Sequence, residues 1–171
     1  MKVFLIGFMG SGKSTVGGRL ARRLGLPFVD LDAEIVRAAG CPIAEIFERF
    51  GEEEFRRMEV EALHSALSGA AAVVATGGGL ASQEGAFEAM EAAGTTVWLD
   101  PDVETVLRRL AAGERRVRPL ARDEESLRAL YARRLPDYRR ARIRVPVAAT
   151  DSADEVARRV VTALEDSPCA T

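Results

Sequence analysis

Short apolar runs alternate along the chain with longer stretches of helical period. VFLIG opens the series, followed by PFVD, AAVVAT at 71–76, TTVWLD at 95–100 and IRVPVA near the end. Between the first two, STVGGRLARRLG repeats its apolar positions every three to four residues and stops at Gly25, a natural helix end. After PFVD come two short helical patterns with apolar Ile43, Ile46, Phe47 and Phe50, then a longer one from Glu52 to Leu67. DVETVLRRLAA follows the fourth run, a helix is predicted from about Glu124 to Arg133, and a last amphipathic helix from Asp154 to Leu164. Five β-runs separated by helices predict an α/β fold, a parallel sheet covered on both faces.

Such sheets bind ligands beyond the carboxyl ends of their strands. The segments there are Gly7 to Ser14 after the first run, Asp30 and Asp32 after the second, and Gly77, Gly78 and Gly79 after the third. The first is GFMGSGKS, which matches GxxxxGK[ST] and stands between an apolar strand and an amphipathic helix, the context this phosphate-binding motif requires. Its glycines let backbone N–H groups close around phosphate oxygens, and the helix N-terminus adds partial positive charge. The chain has only two lysines, Lys2 and Lys13, against 22 arginines. A lysine at 13 supplies a compact, flexible charge to β- and γ-phosphates, where the planar guanidinium fork fits less well. Ser14 is the candidate Mg²⁺ ligand, and Thr15 the neighbour on the α-phosphate side. The partner is therefore ATP or GTP.

FVDLD places Asp30 and Asp32 on one side of an extended segment. One carboxylate can hold water on Mg²⁺ and the other can accept a hydrogen bond or proton from an acceptor hydroxyl; the alternative for Asp32 is capping a helix that begins near Ala33. GEEEFRRME spaces Arg56 four residues after Glu52 and Arg57 four after Glu53, as surface ion pairs would be. The triple glycine exceeds what a strand exit needs and allows a ligand to approach the backbone closely.

At 171 residues and 47% hydrophobic content the chain has the material for one domain. Its net charge is −2, yet 13 arginines between Arg108 and Arg144 face five acidic residues, so this segment carries an excess of eight positive charges and the remainder −10. Helical patterning and few aromatics there point to small anions as partners, not nucleic acid. Cys41 and Cys169 have neither disulfide-framework nor metal spacing and read as reduced thiols. MKVFLIG is too short for a membrane span and reads as a core strand of a cytoplasmic protein. The lone His64, mid-helix, reads as a surface residue.

Taken together, GFMGSGKST, DLD, GEEEFRRME, ATGGG, RRVRPLA and ARRLPDYRR, in this order, resemble the shikimate kinase family from Met1 through the last helix. The resemblance implies a three-layer P-loop kinase fold of the nucleoside monophosphate kinase type: a five-stranded parallel sheet, a substrate-binding region at about 31–62 and a lid at about 110–123. It implies transfer of the γ-phosphoryl of MgATP to the 3-hydroxyl of shikimate, by a monomer. ATP would bind at Gly10, Ser11, Gly12, Lys13, Ser14 and Thr15. Mg²⁺ would be held by Ser14 and, through water, by Asp30. Asp32 would bind the shikimate hydroxyls and act as base, Arg56 and Arg134 would clamp the carboxylate, and Gly77, Gly78 and Gly79 would line the same pocket. Arg118 resembles the lid arginine that closes on the phosphates.

LAAGERRV, between Arg109 and Arg118, is about one or two residues longer than the family pattern, which leaves the adenine-stacking arginine open between Arg108 and Arg109 and adds Arg115 and Arg116. Ile43, Phe47 and Phe55 would either wall the substrate ring or pack a core, and AATDS at 148–152 would border adenine. The rival readings are a gluconate kinase-like enzyme and a nucleotide-binding regulatory module without turnover.

Overall fold

The computed structural model of the protein describes residues 1–114 and 123–167. Its strands are β1 (Lys2–Ile6), β2 (Phe28–Asp30), β3 (Ala72–Ala75), β4 (Thr95–Pro101) and β5 (Ile143–Val147). Its helices are α1 (Lys13–Leu24), α2 (Leu31–Ala39), α3 (Ile43–Ser68), α4 (Ala86–Ala93), α5 (Val103–Arg109), α6 (Glu124–Tyr138) and α7 (Ala153–Asp166). A 3-10 turn, Leu80–Ser82, follows β3, and a π turn, Leu110–Glu114, extends α5. A π turn holds one residue more than an α turn.

All five strands are parallel, in the order β2-β3-β1-β4-β5. Alternation sends Phe4 and Ile6 to one face, against Leu63, Phe87, Met90 and Val106, and Val3 and Leu5 to the other, against Val16, Leu20, Val156 and Val160. Leu20 is fully buried on this second face, and shortening it to alanine would cost about 2–5 kcal/mol. The edges are blunt. β2 has three residues, and β5 turns Arg144 and Pro146 outward.

α3 is broken at Gly51 (φ 82°, ψ 176°), so the short and long helical patterns are distinct segments in one element. α6 runs five residues past its predicted end, through Pro136 in its last turns. A third apolar cluster joins α2 to α3 through Ile35, Ile43, Ile46 and Phe55. Phe47 packs on Phe55 with ring centroids 4.6 Å apart, so of the two roles open to Ile43, Phe47 and Phe55 these contacts show core packing. His64 is exposed, and the Cys41 thiol is buried and not in a disulfide. Among the described residues no helix is long and apolar enough to cross a membrane.

Candidate active site

β1 and β3 are direct neighbours, with Leu5 beside Ala75 and Thr76 N–H donating to the Leu5 carbonyl at 3.1 Å. That register brings GFMGSGKS and the triple glycine, about 70 residues apart in sequence, to one point beyond the sheet. Strand order reverses about β1, and this is the crevice where open parallel sheets hold ligands.

In the first loop Gly10 and Gly12 take φ of 74° and 93°, conformations that L side chains resist and that turn successive N–H groups inward. Lys13 opens α1 and is only 9% exposed. Its Nζ donates to the Gly7 carbonyl at 2.7 Å, the Phe8 carbonyl at 2.8 Å and Ser11 Oγ at 3.3 Å. The ammonium is thus fixed inside the loop. Ser14 and Thr15 stand exposed on the first turn of α1.

Beside the phosphate loop, α3, α6 and the glycines build a second cluster of polar groups. A Cβ on Gly79 would lie 2.6 Å from Arg56 Nη1 and 2.9 Å from Arg134 Nη2, so both guanidinium groups converge on one backbone point. A Cβ on Gly77 would overlap Glu59 Oε1 and reach within 3.2 Å of Asp32 Oδ1. One on Gly78 would lie 3.1 Å from Met9 N. The glycines are therefore a floor on which two arginines, two carboxylates and the phosphate loop meet, and any side chain would push one of them away.

Glu59 belongs to this cluster although GEEEFRRME, the motif it closes, gives it no role. It is 1% exposed, accepts from Arg56 Nη1 at 2.6 Å and from Gln83 Nε2 at 2.7 Å, and lies on the buried stripe Phe55, Glu59, Leu63. A glutamate at i+4 on an apolar stripe was the available signal. Arg56 also binds Glu52 at 2.9 Å, as its spacing predicts. Arg57 pairs with Glu54 and Glu61 instead of Glu53. Burial works to lower the Arg56 pKa, but the Glu59 and Glu52 carboxylates outweigh it and hold the group above the ordinary arginine value. Burial lowers that of Arg134, and the neighbouring Arg56 charge acts in the same sense. An anion between the two would relieve that repulsion. Tyr138, likewise given no role by its motif ARRLPDYRR, donates its hydroxyl to the Gly78 carbonyl from a fully buried position.

Asp30 and Asp32 do not share one extended segment. β2 ends at Asp30, which is itself the N-cap of α2: its Oδ1 accepts from Asp32 N at 3.1 Å and Ala33 N at 3.4 Å. Asp32 lies in the first turn of the helix, where its Oδ1 faces Gly77. Capping therefore belongs to Asp30, not to Asp32. Ser14 and Asp30 offer a hydroxyl and a carboxylate, hard oxygen donors of the kind Mg²⁺ takes alongside phosphates and water. Among the described residues no group of three or more His, Cys, Asp or Glu is placed to hold a metal.

Of the two arginines at the end of α5, Arg109 faces the phosphate loop, donating to the Gly10 carbonyl at 3.1 Å, whereas Arg108 turns back to Thr105 Oγ1 at 3.2 Å. Arg109 borders a cavity of about 200 Å³ with Gly12, Thr15, Val147 and Asp151. Asp151 fixes the far wall. Its Oδ2 takes the Ala148 N–H at 2.6 Å and pairs with Arg159, and these contacts, Arg159 first, hold its carboxyl below the usual range. Arg115, Arg116, Arg118 and Cys169 lie outside the described residues.

A family model described as shikimate kinase matches residues 9–165. The chain is 42% identical to a shikimate kinase of Rhodopseudomonas palustris over 172 aligned positions, covering 98% of this chain and 83% of that one. Its structure is similar to that of a shikimate kinase from Acinetobacter baumannii in complex with shikimate, with a TM-score of 0.92 and 35% identity over 98% of this chain and 94% of the other. A gluconokinase from Sinorhizobium meliloti (TM-score 0.64, 21% identity, covering 96% of this chain and 91% of that one) shares the fold.

Proposed function

The chain belongs to the shikimate kinase family, and from that premise we propose how its residues divide the reaction between them. The protein is an ATP-dependent kinase that transfers the γ-phosphoryl group to the 3-hydroxyl of shikimate, giving shikimate 3-phosphate and ADP on the route to chorismate. The observation that carries the acceptor-site assignment is the convergence of Arg56 and Arg134 over Gly79, directly beside the phosphate loop.

Two guanidinium groups suit a planar carboxylate, and gripping that end of shikimate aims its hydroxyl at the phosphate loop. Glu59 holds Arg56 in place. Asp32, on the floor formed by Gly77, accepts the proton of the 3-hydroxyl as the new O–P bond forms and the bond from the γ-phosphorus to the β,γ-bridging oxygen breaks. Backbone N–H groups of Gly10, Ser11 and Gly12 hold the phosphates with Thr15, while Lys13 exchanges its loop carbonyls for phosphate oxygens and neutralises charge as it develops. Ser14 and, through water, Asp30 would hold Mg²⁺, which when bound draws charge from the β- and γ-phosphates. Arg109 stacks on adenine against the loop at 148–152.

We read 31–62 as the substrate-binding region and 110–123 as a lid that brings Arg118 to the phosphates and keeps water from acting as acceptor. One domain, acting as a cytoplasmic monomer, suits this scheme. The test is ADP release by the purified protein with MgATP and shikimate, gluconate or no acceptor. Shikimate-dependent release is expected; equal release with gluconate would overturn the acceptor assignment.

A further inference from the structure

The first variable position of the phosphate loop is Phe8, an aromatic residue that is only 1% exposed. Its backbone and its ring do different things. The carbonyl accepts from Lys13 Nζ at 2.8 Å, at the phosphate end of the site. The ring lies under the Arg134 guanidinium, with Cζ 5.7 Å from the ring centroid, at the acceptor end. A third contact fixes the ring: Tyr131 meets it edge-on at 5.3 Å and 72°, and the Tyr131 hydroxyl donates to the Pro101 carbonyl at 3.1 Å at the end of β4. Leu127, Tyr131, Arg134 and Tyr138 recur every three to four residues on α6, so one helix face carries the whole contact. The phosphate loop and the glycine floor also approach through backbone, since a Cβ on Gly78 would sit a tight 3.1 Å from Met9 N.

We propose that Phe8 is a positioning residue for the acceptor arginine: its π face orients Arg134, so one residue of the phosphate loop sets the register between the phosphates and the substrate carboxylate. This rests on the reading of Arg134 as a carboxylate clamp. A cation desolvated over an aromatic face is held by the ring quadrupole, and a side chain with many rotamers is thereby kept in one. A shift of the loop at Phe8 is thereby felt at the Arg134 guanidinium above its ring.

The test separates electrostatics from packing. Phe8→Leu removes the π face but keeps apolar bulk, and 3,4,5-trifluorophenylalanine incorporated at position 8 keeps the ring shape while draining its quadrupole. Each is compared with Arg134→Ala and combined with it, reading shikimate KM, ATP KM, kcat and Tm. With the fluorinated ring, shikimate KM should rise about 3- to 30-fold, with ATP KM and Tm near their starting values and no further rise when Arg134→Ala is already present. Unchanged shikimate KM in the fluorinated protein, alongside a raised KM in Arg134→Ala, would overturn the role of Phe8 and leave the clamp standing. Unchanged shikimate KM in Arg134→Ala would remove the clamp itself, and the inference with it. A fluorination effect that persists in the Arg134→Ala background would make Phe8 a packing residue only.

Discussion

Glu59 Oε2 lies 2.6 Å from Arg56 Nη1 and 2.7 Å from Gln83 Nε2, so a nearly inaccessible carboxylate ties the acceptor arginine of α3 to the segment following the glycine floor. Two elements distant in sequence thereby set one guanidinium. Glu59→Gln keeps the shape and removes the charge. Shikimate KM should rise about tenfold while ATP KM holds, with stability lower by about 1–3 kcal/mol. Denaturant unfolding and steady-state kinetics check both; a change confined to stability would reduce Glu59 to a structural role.

Lys13 holds the only side-chain ammonium in the phosphate loop. Lys13→Ala should lower kcat by about 10²–10³ or more, and Lys13→Arg should not rescue it, because the fork cannot take the same three acceptors. Turnover close to the original in either variant, measured by ADP release, would remove the phosphate-loop assignment.

The glycine floor predicts two different failures. Gly79→Ala displaces the ends of two arginines from their places over the floor; the fold should survive while shikimate KM rises on the order of 10- to 100-fold. Gly77→Ala meets Glu59, whose buried carboxylate has nowhere to go, so Tm should fall as well. Equal Tm losses in the two proteins would contradict this geometry.

Asp30 and Asp32 can be told apart by the property each controls. Asp30→Ala removes the cap of α2 and should cost about 0.5–2 kcal/mol. Asp32→Asn should leave stability near its original value and lower kcat by about 10²–10⁴. An active, well-folded Asp32→Asn protein would exclude proton acceptance by that residue.

Acid should weaken the fold through its helix caps. The Asp102 and Asp123 carboxyls are held below their ordinary values, chiefly by the N–H groups of Thr105 and Ser126 respectively. Since the folded pKa lies under the unfolded one, of about 3.9, the stabilisation is complete above that value and is lost as pH falls through the folded pKa. Asparagine caps nearly as well but does not titrate. The double variant Asp102→Asn, Asp123→Asn should therefore lose less Tm between pH 6 and pH 3 than the parent. An identical loss would remove the caps from the account.

Much of this arrangement was legible in the sequence because local rules coincided with it. Five apolar runs and the glycine and lysine spacing of the phosphate loop identify the sheet and one half of the site, and each depends on neighbours a few residues away. What escaped depends on contacts across the chain. Glu59 reads as one more surface acid in GEEEFRRME until α3 is rolled onto the sheet, and Tyr138 as a helix-end aromatic until α6 is set against Gly78. The choice between Arg108 and Arg109 turns on which of two adjacent arginines on α5 faces the phosphate loop, which their sequence positions alone do not declare. That Asp30 and not Asp32 caps α2 follows from where the strand stops, since the helix starts at Leu31, two residues before the point the pattern suggests.

The blunt edges of the sheet bear on how the protein behaves at high concentration. An outer strand is a template only if it offers a row of free N–H and C=O groups. β2 is three residues long, too short to seat another chain securely. On β5, Pro146 has no N–H, its carbonyl already accepts from Arg159 at 2.9 Å, and Arg144 places charge beside it. A parallel sheet that must assemble from distant segments is slow to close, and while it does so this border discourages one molecule from adding its strand to the next.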